Sequence, residues 1–295
     1  MADAGDAGYT QARFQTQDGL SIAYRDYAAA GKGPQVGCAP VVCAHGLTRN
    51  ARDFEELAPR IAALGRRVIV PDARGRGLSD WDPEPARYQP LIYTQDVLAL
   101  LDELELAQAA WVGTSMGGLM GMIAAKLAPE RLASLTLNDI GPEIDPDGLK
   151  RIEGYVGGAP PQRDWAAAQA ITRSINEDAF PDQNDAFWSA FAHRLFTETS
   201  DGAIRLDYDP AISDRVQAGE AAPPDLWALF NATRSAPTLV VRGALSDLLS
   251  EATVTRMAAR HDQLTIVRAA NVGHAPFLTE TDVWPALARF LAETP

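Results

Sequence analysis

Basic charge is scarce: 26 Lys and Arg stand against 39 Asp and Glu in 295 residues, a formal net charge of −13. A chain this acidic repels phosphate backbones and anionic lipid surfaces, so no nucleic-acid partner is expected. Every apolar run is too short to cross a bilayer, so no membrane partner is expected either. Met1 to Gly8 lacks the basic start and apolar core of a signal peptide. A cytoplasmic protein is therefore expected, with about the first ten residues frayed. Cysteine is almost missing, with Cys38 and Cys43 alone. Cys43 lies in the apolar run Val41-Val42-Cys43-Ala44 and reads as a buried core thiol. No further ligand cluster accompanies the pair, so neither a disulfide nor a metal site is expected. Asn231-Ala232-Thr233 fits a glycosylation sequon but has no consequence without secretion.

Apolar residues, by contrast, make up 46% of the chain, enough to bury a large core as one α/β domain with an inserted subdomain. Two alternating segments, Ala12 to Gln17 and Leu20 to Tyr27, flank Asp18-Gly19 and read as an antiparallel hairpin. The period then changes. Short apolar runs, most of them β-branched, fall at Val41–Ala44, Val68–Val70, Ala110–Val112, Leu135–Leu137, Thr238–Val241 and Leu264–Val267. Helical patterns alternate with them at Ala51–Leu64, Thr94–Leu104, Met116–Leu127, Glu251–Arg260 and Val283–Leu291. That alternation predicts an α/β fold, a mostly parallel central sheet with helices on both faces. The rhythm breaks between Gly141 and Ser235, where no strong strand signal appears. Helical stretches at Trp165–Ile175, Asp185–Phe196 and Pro224–Phe230 fill it, and Trp165, Phe180, Phe187, Trp188, Phe191 and Phe196 argue against disorder. The expected division is a core of residues 1–140 and 236–295 with a helical cap at 141–235.

The most informative stretch is Trp111-Val112-Gly113-Thr114-Ser115-Met116-Gly117-Gly118, a serine inside G-x-S-x-G between a strand and a helix. A residue on so sharp a strand-to-helix turn is held strained, with its side chain exposed at the top of the sheet. The helix that follows turns free N–H groups and its positive dipole end toward any negative charge forming near Ser115 Oγ. A serine hydroxyl also needs a base, and the base an orienting acid. Of the four histidines, His261 sits at a helix end and reads as structural, and His193 lies between Phe191 and Phe196 in the inserted segment. His45 follows a strand within His-Gly-Leu. His274, in a loop after the last apolar run, is the best base. The acid falls between serine and histidine if the chain order is Ser…Asp…His. Asp247, after the strand ending Val240-Val241-Arg242-Gly243, is favoured because its loop adjoins that of His274. Asp139, after Leu137-Asn138, is the alternative.

His45-Gly46, Asp72-Ala73-Arg74-Gly75-Arg76-Gly77-Leu78-Ser79, the Ser115 elbow, Arg242-Gly243…Asp247 and Gly273-His274 stand in the order seen in the α/β-hydrolase fold family. The resemblance covers roughly residues 12–140 and 236–293 and implies a serine triad without naming a substrate. It implies an oxyanion hole from the backbone N–H groups of Leu47 and Met116, and a loop-shaping role for His45. The Asp72–Ser79 loop is expected to be scaffolding, with Arg74 and Arg76 ion-paired. Thr48, Arg49 and Asn50 either meet polar groups of a substrate or start the next helix. Relatives that open epoxides or remove halides carry aspartate at the nucleophile position, so Ser115 favours acyl chemistry.

The expectation is thus a serine hydrolase cleaving an ester or related acyl bond of a small, largely apolar, neutral substrate, with no metal or organic cofactor. The G-x-S-M-G-G elbow is shared with carbon–carbon bond hydrolases and cofactor-free haloperoxidases, so carbon–carbon hydrolysis is the rival activity. A ligand receptor that no longer turns over is the rival from another class.

Overall fold

The computed structural model describes residues 8–30, 38–217 and 225–295. The frayed start expected for the first ten residues lies largely outside them, although Thr10 already belongs to a strand. In chain order the strands are β1 (Thr10–Gln15), β2 (Ser21–Tyr27), β3 (Val41–Ala44), β4 (Val68–Pro71), β5 (Ala109–Thr114), β6 (Leu132–Asn138), β7 (Phe196–Glu198), β8 (Ile204–Leu206), β9 (Thr238–Gly243) and β10 (Leu264–Ala269). The helices are α1 (Leu57–Ala63), α2 (Pro90–Glu103), α3 (Met116–Leu127), α4 (Pro146–Tyr155), α5 (Trp165–Asn176), α6 (Asp185–Leu195), α7 (Ala211–Gln217), α8 (Leu226–Ala232), α9 (Glu251–Ala258) and α10 (Trp284–Glu293). Among the described residues, eight strands form one sheet in the order β1-β2-β4-β3-β5-β6-β9-β10. The β1–β2 and β2–β4 pairs are antiparallel and all others parallel. This is the α/β class that the alternation of β-branched runs and helical patterns predicted.

Alternate residues of each strand bury into opposite layers, as the two-residue strand period requires. Val42, Trp111, Leu135, Leu137 and Val240 pack with Leu100 of α2 and Leu119 and Ile123 of α3. Their neighbours Val41, Cys43, Ala110, Val112, Leu239 and Val241 pack with Leu57 and Ile61 of α1 and Leu287 of α10. A sheet covered on both faces explains why its central strands read as continuous apolar runs. Cys43 is fully buried, as expected of a core thiol.

The segment between β6 and β9, which are neighbours in the sheet, carries α4 to α8. It also holds a small antiparallel hairpin, β7–β8, which the sequence did not announce. Three-residue strands are too short to show a period, and the signal was only a turn at Asp201-Gly202, where Gly202 takes φ +81°. The predicted helix over Ala51–Leu64 is broken into a 3₁₀ turn, Ala51–Phe54, and α1. Asn50 caps that turn, its side chain accepting from Arg52 N–H. No helix of the described residues is long and apolar enough to cross a membrane.

Candidate active site

All the chemistry-bearing loops leave the carboxyl ends of β3, β5, β6, β9 and β10, the edge where parallel strands deliver their functional residues. Ser115 stands between β5 and α3 with φ +51° and ψ −114°. Such a conformation costs a non-glycine residue on the order of 1–3 kcal/mol and persists only where its surroundings enforce it. Here they do. Ser115 N–H donates to Asn138 O at 2.9 Å, and Ser115 O accepts from Gly118 N–H at 2.9 Å and Leu119 N–H at 3.0 Å. A Cβ at Gly117 would lie 2.0 Å from Ala44 O, and one at Gly113 would lie 2.3 Å from the Gly117 carbonyl carbon. The elbow can therefore press against β3 only because both positions lack a side chain. Trp111 Nε1 donates to Gly117 O at 2.9 Å and ties the turn to its own strand.

Ser115 Oγ is 2.9 Å from His274 Nε2, and His274 Nδ1 is 2.8 Å from Asp139 Oδ2. A carboxylate only accepts, so Nδ1 carries the proton and Nε2 is left to accept from the serine hydroxyl. Asp139 is fully buried at the end of β6, also in the left-handed region at φ +54°. Its Oδ1 accepts from Gly243 N–H at 2.9 Å, and its Oδ2 also accepts from Ser246 Oγ at 2.6 Å. Asn138 Nδ2 donates to Pro276 O at 2.7 Å and Thr114 Oγ1 at 3.0 Å, which fastens the His274 loop to the serine strand.

Asp247, the carboxylate expected to orient His274, is turned elsewhere. Arg151 of α4 grips it through Nε at 2.5 Å and Nη2 at 2.9 Å, and this guanidinium holds the Asp247 carboxyl below the usual carboxylate range. The loop adjacency that favoured Asp247 is real, but its partner comes from the inserted segment, which left no motif to reveal it. The contribution of the β9 loop to His274 is instead Ser246, one residue earlier, acting on Asp139. Neither Ser246 nor Asn138 stood out in the sequence, since a single hydroxyl or amide at a strand end is ordinarily a turn residue.

Leu47 and Met116 both line the same cavity as Ser115. The fully buried Arg76 touches each of them, its Nε donating to Leu47 O at 3.0 Å and its Nη2 lying 3.8 Å from Met116 Sδ. Its guanidinium also lies 4.6 Å above the Tyr93 ring. Arg74 is ion-paired as expected, to Asp18, Asp82 and Asp96. Arg76 differs: it takes backbone carbonyls and a sulfur in place of a carboxylate. His45 shapes its loop by donating from Nδ1 to Gly46 O at 2.7 Å and accepting Ala73 N–H at Nε2 at 3.0 Å. Burial pushes its imidazole down to about 4, so it stays neutral there. Asp72 accepts from Ala51 N–H at 2.7 Å and Leu78 N–H at 3.0 Å, while burial pushes its carboxyl up to about 6. His193 stacks on Trp165 at 3.7 Å, and His261 is buried beside Phe230. No group of His, Cys, Asp and Glu suited to a metal ion occurs among the described residues.

Ser115 and His274 open into a cavity of about 190 Å³ with a mainly aliphatic and aromatic wall. The sheet side supplies residues such as Leu119 and Ile140, and the inserted segment supplies Ile152, Tyr155, Leu206 and Ile212. Thr48 and Arg49 line it too, whereas Asn50 reaches across to the insertion and donates to Arg194 O at 2.9 Å.

A family model for the alpha/beta hydrolase fold matches residues 39–281. A 3-hydroxybutyrate-oligomer hydrolase of Cupriavidus necator is 36% identical over 247 residues, spanning 80% of this chain and 82% of that protein. A 2-(acetamidomethylene)succinate hydrolase of Mesorhizobium japonicum is 29% identical over 78% of this chain and 79% of its own length. The crystal structure of an alpha/beta hydrolase from Novosphingobium aromaticivorans superposes with a TM-score of 0.91 at 40% identity, covering 98% of this chain and 99% of the other.

Proposed function

The chain belongs to the α/β-hydrolase fold family and is a hydrolase, and from that premise we propose that it cleaves an ester by way of an acyl-enzyme on Ser115. The observation that carries this reading is the unbroken hydrogen-bond chain from Ser115 Oγ through His274 to Asp139, opening on an apolar cavity. His274 takes the serine proton as Oγ attacks the ester carbonyl. Asp139 keeps the imidazole in the tautomer that can accept and stabilises the imidazolium that forms. The oxyanion of the tetrahedral intermediate is met by the N–H groups of Leu47 and Met116, each worth roughly 3 kcal/mol of barrier. The imidazolium then protonates the leaving alcohol as the intermediate collapses. Water, deprotonated by the same histidine, attacks the acyl-enzyme, and the acid leaves with Ser115 Oγ reprotonated.

The segment 141–235 acts as a cap, because its helices supply one wall of the cavity. A flexible aliphatic ester suits such a wall, and the 3-hydroxybutyrate oligomers named for the Cupriavidus relative are of that kind. Hydrolysis of short-chain p-nitrophenyl esters by the wild type and by Ser115→Ala tests the reading. Turnover is expected in the wild type and loss by about a millionfold in the variant. Equal rates in the two proteins, or none in a folded wild type on any ester, contradict it.

A further inference from the structure

Among the residues lining the mainly apolar cavity, which also include Asp53, one cation has hydrogen-bonding capacity to spare. Arg49 follows the oxyanion loop and lines the cavity beside Ser115. Its Nε and Nη2 lie 2.9 and 2.8 Å from the same oxygen, Asp53 Oδ1. Among the described residues Nη1 has no acceptor, and Nη2 meets only Asp53, with the side chain 20% exposed. The guanidinium carbon also lies 4.4 Å from the centre of the Phe191 ring and 5.6 Å from that of Phe277. Its stem is close to the nucleophile: a Cβ at Gly46 would sit 3.3 Å from Arg49 Cγ and 3.8 Å from Ser115 Cβ.

Resting on the ester-hydrolase reading above, we propose that Arg49 binds a carboxylate of the substrate, so that the preferred esters are ester acids such as short hydroxyacid oligoesters with a free carboxyl end. Three features make the side chain a receptor for an anion rather than a surface charge. Asp53 occupies one side of the planar fork and leaves the other, and an end-on pair of N–H groups matches the two oxygens of a carboxylate. The Asp53 pair and the two neighbouring rings hold the side chain in place before anything binds, which lowers the entropy lost on recognition. The largely buried position strengthens a charged hydrogen bond relative to water. The substrate is then aliphatic along its length and charged at one end, which keeps the expected apolar body but departs from the expectation of a neutral substrate.

The test compares the internal ester of the linear 3-hydroxybutyrate dimer with that of the same dimer as its methyl ester, products being resolved by chromatography. The wild type is expected to favour the free acid in kcat/KM by at least about tenfold, the value of one charged hydrogen bond. In Arg49→Gln that ratio collapses toward unity through a higher KM for the acid, and Arg49→Lys keeps part of it. A purely structural role, pinning Phe191 against Asp53, lowers both rates together and leaves the ratio unchanged, which overturns the proposal. So does a wild type that does not distinguish the two dimers while still hydrolysing p-nitrophenyl butyrate through Ser115, and then the ester-hydrolase reading stands alone. If no ester is turned over, that reading fails, and calorimetric binding of 3-hydroxybutyrate to Ser115→Ala decides the role of Arg49. Binding that disappears in Ser115→Ala with Arg49→Gln supports the carboxylate site, and no binding to Ser115→Ala overturns it.

Discussion

The loops after two neighbouring strands each carry an aspartate, and the two carboxylates have opposite surroundings. Asp139, after β6, is fully buried and accepts from His274, Ser246 and the Gly243 N–H. Asp247, after β9, has a side chain 38% exposed and is gripped by Arg151 from the inserted segment. One carboxylate is built into the sheet and faces the histidine; the other is paired with Arg151 of α4, in the segment between β6 and β9. Proximity to a base does not decide which acid serves it. What decides is where the remaining acceptor capacity of each carboxylate is spent.

Exchanging each acid for its amide tests that difference most severely. Asp139→Asn offers an N–H where His274 needs an acceptor, and turnover should fall by about ten-thousandfold, as for a triad left in the wrong tautomer. Asp247→Asn should stay within about tenfold of the wild type, since it loses only an ion pair with Arg151 of α4. Steady-state kinetics on one ester separates the two, and the reverse order would restore Asp247 to the triad.

Ser246 tests the boundary between the two regions, because it lies in the β9 loop yet donates to Asp139. Ser246→Ala removes one hydrogen bond from a buried carboxylate and should lower kcat by about tenfold with little change in KM. A KM effect alone would show that the loop positions substrate and not the acid.

The smallest effect is expected at the other end of the Asp247 bridge. A partly exposed pair is screened by water, so Arg151→Gln should cost less than about 1 kcal/mol of stability at neutral pH. Asp247 is held below its ordinary range in the folded state, so its contribution is present above the unfolded pKa of about 3.9 and is lost as pH falls through the lower folded value. Denaturation curves of the wild type and Arg151→Gln should therefore converge on acidification, and a gap that widens would refute the pairing.

Much of the core was legible because its rules are local. The runs at Val41–Ala44 and Thr238–Val241 became strands, and G-x-S-x-G with its flanking patterns placed Ser115 on an elbow. His274 was legible for the same reason, being a histidine in a loop after the last strand. The carboxylate that meets His274 was not, because the choice between Asp139 and Asp247 depends on Arg151, 96 residues from Asp247 in sequence, and on the side-chain geometry of Ser246. Arg76 was misread as one more ion-paired scaffold residue, since nothing local distinguishes it from Arg74 two positions earlier. The cavity wall was the least legible part. Ile152, Leu206 and Ile212 come from separate elements of the insertion and share no pattern along the chain.

The central claim is that Ser115 is a nucleophile activated by His274. Its most direct test is the mapping and rate of covalent labelling by a fluorophosphonate in the wild type, Ser115→Ala and His274→Ala. The account predicts a single adduct on the peptide bearing Ser115, none in Ser115→Ala, and labelling slower by at least about a hundredfold in His274→Ala, the value of a general base. A stoichiometric adduct elsewhere, or an undiminished rate without His274, would contradict it.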